Sequence, residues 1–220
     1  NNTLRTIILN DGLKNINNSA FSYVDLTSIT IPASVTSIGN YAFSGAGLTS
    51  INIPASVTSI GNSAFVYTAK LQNIKVELAN ANYSSDDNGV LFNKDKTILL
   101  KYPTGSNNDS YTVPDTVETI EDRSFAILYY SDNNTLRTII LNDGLKNINN
   151  NAFLYVDLPS INIPASVTII GEYAFYGARS LATVTFAAGS QLETIGEGAF
   201  QEARSLTSIT IPASVTTIDD

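Results

Sequence analysis

The feature that most constrains this chain is an internal repeat of about 22 residues. The segment from Leu26 to Phe43 recurs from Leu48 to Phe65 and from Leu158 to Phe175, and a variant runs from Leu181 to Phe200. A single unit of this length cannot bury its own apolar side chains, so consecutive units must stack on one another. The repeat therefore predicts a solenoid in which each unit forms one coil.

The first part of each unit has the pattern of a strand with one buried face. Ile29 and Ile31 alternate with Ser28 and Thr30, which is the period of two expected of such a strand. Pro32 has no N–H group and is expected to end the strand. Stacked coils then place parallel strands on one wall, and the usual crossover rule makes the coil right-handed.

The rest of the unit is expected to return the chain to the next coil. Val35 and Ile38 form a second apolar pair, expected on the opposite wall. Gly39 is expected to turn the chain, although Glu121 at the equivalent position tolerates a positive φ poorly, so the same turn is not expected in every coil. A short 3₁₀ or helical turn is expected around the closing Ala-Phe pair. The phenylalanines of this pair predict a continuous aromatic spine: Phe21, Phe43, Phe65, Phe125, Phe153, Phe175 and Phe200.

One stretch departs from the repeat, between Phe65 and Phe125. It is interpreted as an irregular long repeat at about 78–125, inside one array that covers residues 1–220. Two apolar runs flank Asn93–Lys96 and predict an inserted β-hairpin over 90–102 that projects from the solenoid or caps its wall. Neither end of the array has an ordinary cap, so the chain is interpreted as an uncapped fragment of a longer one.

Composition argues against most catalytic chemistry. The chain has no His and no Cys, which excludes Ser-His-Asp and Cys-His nucleophile systems and thiolate or imidazole zinc sites. Paired carboxylates such as Glu121 and Asp122 are interpreted as solvated surface charges. The net charge of −8 disfavours nucleic acid and anionic membranes as partners, and no apolar run is long enough for membrane insertion. We therefore expect a protein without catalysis and without a cofactor.

One segment of the irregular stretch has a spacing that two structures could explain, a calcium loop or an ordinary turn. The residues Ser84, Asp86, Asn88, Gly89 and Asp95 have the spacing of an EF-hand loop, but its first position is Ser, its last is Asp, and no helices flank it. An Asn-Gly turn explains the segment more simply, so no metal site is predicted.

The best candidates for a binding site are the outward strand positions, which predict a flat wall of small hydroxyl and amide groups. They are Ser28, Thr30, Ser50, Asn52, Asn73, Lys75, Ser160, Asn162, Thr183, Thr185, Ser208 and Thr210. A merely solvated β-sheet face is the alternative interpretation. A second candidate surface is an edge formed by Tyr23, Tyr41, Tyr67, Tyr155, Tyr173 and Tyr176.

The combined motif L-x-x-I-x-I-P-x-S-V-T-x-I-G-x-x-A-F resembles the BspA-like leucine-rich repeats of bacterial surface proteins. The segments Asn88–Thr97 and Tyr102–Gly105 are similar to the long-repeat variant of that family. The chain lacks the Cys that often stands three residues after the Phe in the family. The resemblance implies an extracellular or cell-surface module that binds a protein or cell-surface ligand, as an adhesin does. A structural spacer, or a module that positions an enzymatic domain outside this chain, is the alternative.

Overall fold

The computed structural model describes residues 5–128 and 135–219, and these residues form a solenoid of short strands and turns. Those two ranges contain no helix. The strands in chain order are β1 (Thr6–Ile7), β2 (Asn15–Ile16), β3 (Ser28–Ile29), β4 (Ser37–Ile38), β5 (Ser50–Ile53), β6 (Ser59–Ile60), β7 (Asn73–Val76), β8 (Tyr83–Ser85), β9 (Leu91–Asn93), β10 (Ile98–Lys101), β11 (Ser110–Thr112), β12 (Thr119–Ile120), β13 (Thr138–Ile140), β14 (Asn147–Ile148), β15 (Ser160–Ile163), β16 (Ile169–Ile170), β17 (Thr183–Phe186), β18 (Thr194–Ile195) and β19 (Thr217–Ile218).

The first strand of each coil lies on one side of the solenoid, and we call the outward face of these strands the strand wall. It comprises β1, β3, β5, β7, β11, β13, β15 and β17. Four neighbouring pairs of these strands, β1–β3, β5–β7, β11–β13 and β15–β17, are parallel and in register, so that Ser50 lies beside Asn73 and Ser160 beside Thr183. The predicted parallel pairing of repeat strands is confirmed.

The predicted inward isoleucines are buried wherever a coil lies on both sides of them. The buried ones are Ile29, Ile31, Ile51, Ile53, Ile161 and Ile163. Ile209 and Ile211 are only half-buried, although they pack against the same core. Residues 206–212 run without a strand assignment, because they belong to the last coil and have a described neighbour on one side only.

The second apolar pair of each unit builds a second parallel sheet, which the sequence pattern did not predict as a sheet. Its strands are two residues long, and they place an isoleucine inward, as Ile38 and Ile148 show, except that Ile218 of the last strand is exposed. One part has the order β2-β4-β6 and the other has β12-β14-β16-β18-β19. Within each part, this second ladder holds successive coils together and adds to the strand pairs of the wall.

The closing turns differ from the prediction. A pair of left-handed residues, two before and two after the phenylalanine, replaces the expected 3₁₀ or helical turn. Around Phe43 these are Tyr41 (φ 55°) and Gly45 (φ 63°). Gly39 does not have a positive φ and so does not make the turn that we expected of it. It is glycine because a Cβ atom there would lie 2.6 Å from the backbone nitrogen of Asn18 in the preceding coil.

The aromatic spine forms two stacks rather than one. Phe43 and Phe65 lie 5.6 Å apart in the first, and Phe153 and Phe175 lie 4.9 Å apart in the second. Tyr102 joins the second stack, 5.1 Å from Phe125. Within residues 5–128 and 135–219 no ring contact joins Phe65 to the second stack. The prediction of a continuous spine was wrong because the irregular stretch lies between the two.

The hydrophobic core is divided in the same way. The core of the first stack runs from Ile7 to Leu91, and that of the second runs from Val90 to Val215. The two cores share the segment at Val90–Leu91, where the irregular stretch begins to cross between them.

The predicted hairpin is confirmed as β9 and β10, which pair antiparallel around the turn at Asn93–Lys96. An unpredicted third strand, β8, pairs antiparallel with β9. The hairpin does not project, because β10 also pairs in parallel with β12 and so extends the second sheet. Leu91 and Leu100 pack into the first core, whereas Phe92 and Leu99 pack into the second. The hairpin therefore lies between the two stacks, at a place we call the seam.

Candidate binding surfaces

All twelve residues predicted for the strand wall are exposed. Ten lie on or next to paired strands, and the parallel register arranges them in columns, as with Asn52 beside Lys75. Ser208 and Thr210 are exposed in the last coil but lie outside any strand. Lys75 is the only charged member of the set. The wall is therefore a flat and nearly neutral surface of small polar groups.

Hydrogen bonds between coils fix several of these side chains. Thr185 Oγ1 donates to Asn162 Oδ1 at 2.8 Å. Asn52 Nδ2 donates to Glu77 Oε1 at 3.3 Å, and the other oxygen of that carboxylate accepts the N–H of Ala55 at 2.8 Å. These bonds bridge neighbouring coils, so part of the wall presents its polar groups in fixed positions.

A turn at Asp86–Gly89 takes the place of a strand between β7 and β11. Gly89 accepts a hydrogen bond from the N–H of Ile74 through its carbonyl, and its φ is 71°. Asp86 Oδ1 accepts the N–H groups of Asn88 and Val90, which confirms the predicted Asn-Gly turn. In the part of the chain that the structure describes, no group of three or more acidic, His or Cys side chains is placed to hold a metal ion.

The second oxygen of Asp86 ties this turn to the following coil. Asp86 Oδ2 accepts a hydrogen bond from Tyr111 Oη at 2.8 Å. Burial and the neighbouring Asp86 carboxylate raise the pKa of Tyr111, so its hydroxyl keeps its proton and remains a donor. The Asp86–Tyr111 bond thus fixes the turn to the strand wall across the seam.

Two depressions on the wall bring predicted residues together. A groove of about 660 Å³ between the last two coils is lined by Thr183, Thr185, Ser208 and Thr210. A second depression, of about 690 Å³, lies beside Asn73 and Lys75 and continues to Tyr83 and Lys94. The other six predicted residues line neither depression.

The tyrosines named above lie along the closing turns, and we call this row the tyrosine edge. Five of them, all except Tyr176, have a positive φ between 53° and 59°. Bulky residues rarely adopt this backbone conformation, because Cβ crowds the following carbonyl oxygen. Tyr23 is 65% exposed and Tyr41 is 40% exposed. The edge thus presents large aromatic side chains on a strained and regular backbone.

Glycine in the following coil makes room for some of these rings. A Cβ atom on Gly45 would lie 2.5 Å from Cδ1 of Tyr23, and one on Gly177 would lie 2.4 Å from Cδ1 of Tyr155. The rings of Tyr23 and Tyr155 therefore lie against the backbone of the next coil. The alternation of tyrosine and glycine along the edge follows from this packing.

The edge continues across the seam. Val66, Ala126 and Leu154 form a small buried cluster beneath it, and Tyr67 and Tyr155 pack against that cluster. Burial raises the pKa of Tyr67, while a hydrogen bond with the Arg123 guanidinium opposes that shift. The tyrosine edge is therefore supported from both stacks.

At the far end of the edge three side chains form a cluster. Tyr176 makes edge-on ring contacts with Tyr155 at 5.6 Å and with Tyr173 at 5.8 Å. Tyr173 Oη donates a hydrogen bond to Glu197 Oε1, and that bond raises the pKa of Tyr173.

No helix in residues 5–128 and 135–219 is long and apolar enough to cross a membrane.

Comparison with known proteins gives one family and several solved structures. A sequence model described as the BspA type leucine rich repeat region matches residues 1–87 and 102–220 in six copies. No curated protein sequence gives a significant match.

Among solved structures, a leucine-rich repeat protein from Eubacterium ventriosum is 27% identical, with a TM-score of 0.72, and the match covers 92% of this chain and 65% of that one. A leucine-rich cell surface protein from Faecalibacterium prausnitzii is 26% identical, with a TM-score of 0.66, over 99% of this chain and 60% of that one. The pneumococcal vaccine antigen PcpA shares the fold at 23% identity, with a TM-score of 0.66, over 94% of this chain and 66% of that one. This chain thus spans slightly less than two thirds of each of these proteins.

Proposed function

The chain belongs to the BspA-type leucine-rich repeat family, and from this premise we propose that it is an extracellular protein-binding module of a bacterial surface that acts without catalysis. A solved relative described as a cell surface protein supports this location. The partner that suits such a module is a folded protein or a cell-surface ligand, because an extended solenoid offers area rather than an enclosed pocket.

The observation that carries the proposal is the regular exposure of the strand wall. The wall strands direct isoleucines such as Ile51 and Ile161 into the core and mostly small polar residues outward, with Ile140 an exposed exception, so substitutions on the outward face leave the core unchanged. With Lys75 as its only charged residue, the wall would bind with little dependence on salt, because screening acts on charges. A neutral surface supported by strand ladders suits a stable contact with another protein.

The test compares a matched pair of arginine substitutions, with a third on the wall as a repeat. Ser50→Arg places a bulky cation on the strand wall, and Ser59→Arg places the same group on the exposed side of the second sheet. We expect binding to a panel of extracellular-matrix proteins and host cells to fall with Ser50→Arg, and likewise with Ser160→Arg, but not with Ser59→Arg. Both variants should melt near the parent temperature, because both positions are exposed.

Equal loss of binding with Ser59→Arg would contradict the wall as the binding surface. No binding to any member of the panel, with activity recovered only when a neighbouring domain is restored, would favour the spacer or positioning function instead.

A second candidate surface is the tyrosine edge, which is favoured by the exposure of Tyr23 and Tyr41. Tyrosine is enriched among the residues that dominate binding energy at protein interfaces. Joint replacement of Tyr23 and Tyr41 by alanine would abolish binding if this edge is the site, and would leave it unchanged if the strand wall is. The same panel therefore distinguishes the two surfaces.

A further inference from the structure

In regular coils, three alternate N–H groups of the closing turn donate to carbonyls of the next coil. Those of Tyr41, Phe43 and Gly45 do so at 2.8–3.1 Å. In the second stack the equivalent groups flanking and including Phe153 make the same bonds, each at 2.8 Å. The closing turns are therefore joined by a ladder with one donor at every second residue.

The ladder is interrupted at the seam. The equivalent donors are the N–H groups of Ser63, Phe65 and Tyr67, and none of them has an acceptor among residues 5–128 and 135–219. Phe65 is buried, so its N–H group lacks the free access to bulk water that would satisfy it. A buried backbone donor without a partner costs free energy comparable to a lost hydrogen bond.

The end of the hairpin occupies the carbonyls that the ladder would use. Ser124 accepts the N–H of Tyr102 at 3.0 Å. Lys101 Nζ lies 3.4 Å from the carbonyl oxygen of Arg123 and 3.5 Å from that of Ala126. The hairpin thus donates hydrogen bonds to carbonyls of the coil that follows the seam, at Arg123, Ser124 and Ala126. The N–H groups of the coil that precedes the seam, at Ser63, Phe65 and Tyr67, are left without acceptors.

Lys101 is a buried amine without a carboxylate partner. Lys101 is only 4% exposed. The two contacts between its Nζ and carbonyl oxygens are long for hydrogen bonds from a charged donor. In the described ranges no Asp or Glu oxygen lies within 4.0 Å of Nζ. Burial lowers the pKa of Lys101 to about 7.

A cavity of about 90 Å³ is lined by Lys101 and by two of the residues with unpaired N–H groups, Ser63 and Phe65. Its walls include the closing turn from Ser63 to Val66 and the hairpin residues Leu91, Leu100 and Lys101. Ile60 and Phe65 add further apolar surface. The cavity therefore offers N–H donors and an amine beside an apolar wall, and Asn62, Glu121, Asp122 and Arg123 complete its lining.

The other charged groups at this cavity already have partners. Asp122 Oδ2 lies 2.6 Å from Nη1 of Arg123, and Glu121 accepts a hydrogen bond from Asn149. The lower coil, residues 60–66, contributes no titratable side chain to the cavity, and neither do Leu91 and Leu100. Glu121 is partly exposed, so Lys101 is the buried lining charge that lacks an opposite charge.

We propose that the seam cavity binds a short-chain monocarboxylate, whose carboxylate accepts from Lys101 and from the N–H groups of Ser63 and Phe65 that line the cavity. The donors select an anionic acceptor, and the apolar walls select an aliphatic tail. The volume admits a tail that makes the whole ligand roughly two to four carbon atoms long. This site is separate from the strand wall and does not depend on the binding function proposed for it.

The test is an NMR titration of the complete chain with acetate, propionate and butyrate, observed through backbone amides. We expect saturable shifts at the amides of Ser63 and Phe65, with a Kd of about 1 mM or weaker for so small a ligand. The matched amides of Phe153 and Tyr155, which have partners, should not shift. Affinity should rise as the pH falls from 8 to 6, because Lys101 gains its proton in this range while the carboxylate stays ionised.

Two controls separate the site from nonspecific effects. Acetamide has the shape of acetate without its charge, and pivalate has the charge with a tail too bulky for the cavity; both should fail to shift these amides. Lys101→Met should weaken acetate binding at least tenfold, whereas Lys146→Met, at an exposed lysine, should not. The ligand controls need no mutation, so they stand even if Lys101→Met fails to fold. Absence of saturable shifts, or equal shifts with acetamide, would overturn the proposal.

Discussion

Removing one ring from the second aromatic stack provides a quantitative test of how the coils hold one another. Phe175 is fully buried, and its ring lies 4.9 Å from Phe153 and 5.4 Å from Phe200. Phe175→Ala removes a complete ring and its contacts on both sides. Truncation of a buried phenylalanine costs about 3–5 kcal/mol, and the two ring contacts place this site in the upper half of that range.

Phe21 is the matched control. It is half-buried and has one described ring neighbour, Phe43 at 5.4 Å. Phe21→Ala should therefore cost about half as much, roughly 2 kcal/mol. Urea denaturation of both variants measures this difference directly.

The position of the loss is as informative as its size. In an array where each coil contacts only its neighbours, Phe175→Ala should reduce hydrogen-exchange protection most at the amides of Phe153 and Phe175, which donate to the two following coils. Gly45, whose amide lies in the first stack, should keep its protection. A uniform loss of protection in both stacks would refute the view that stability is transmitted coil by coil.

Three further predictions follow from buried polar groups and from glycine packing. Asn142→Ala should cost about 1–3 kcal/mol in urea denaturation, because its amide donates to two carbonyls of the preceding coil at 2.9 and 3.0 Å; an unchanged midpoint would contradict this. Gly45→Ala should destabilise the chain more than Gly189→Ala, since both have a positive φ but only the first would bring Cβ against Tyr23; equal melting temperatures would count against the packing explanation. Between pH 7 and 9 in a carboxylate-free buffer, the free energy of unfolding should rise by about 1 kcal/mol per pH unit, because unfolded Lys101 holds a proton that the folded chain does not. Lys101→Met should remove that slope, and a slope that persists in the variant would assign it to another group.

The repeat strands could be predicted because their apolar and polar residues alternate in the same way as buried and exposed positions do. Ile51 and Ile53 face the core and Asn52 faces solvent, and this pattern recurs in coil after coil. The second sheet could not be predicted in the same way, since strands of two residues such as Ser37–Ile38 are too short to show a period.

The backbone conformation of the closing turns could not be predicted from the sequence, for a different reason. Left-handed backbone normally favours glycine, but these positions hold Tyr41, Arg123, Asn151 and Glu202 as well, so residue type does not mark them. Conversely, Gly39 suggested a turn but serves close packing between coils.

The seam could not be predicted from the sequence, because its residues have the pattern of an ordinary β-hairpin. Lys101 ends a strand of a hairpin, where a lysine is normally solvated. It is buried because that strand lies between two cores, and no local pattern reports the second core. The candidate wall residues were correctly predicted to be exposed, whereas recognition of a partner depends on surface chemistry that periodicity does not encode.

The direction of the coil-to-coil hydrogen bonds has a mechanical consequence. These bonds run along the long axis of the solenoid, so tension applied between its ends loads one coil junction at a time rather than shearing a whole sheet at once. A released coil of 22 residues would add roughly 70 Å of contour length in place of the ~5 Å that it spans when stacked. The chain would therefore yield in small successive steps, beginning where the closing-turn ladder is interrupted, and would lengthen severalfold before any covalent bond bore the load.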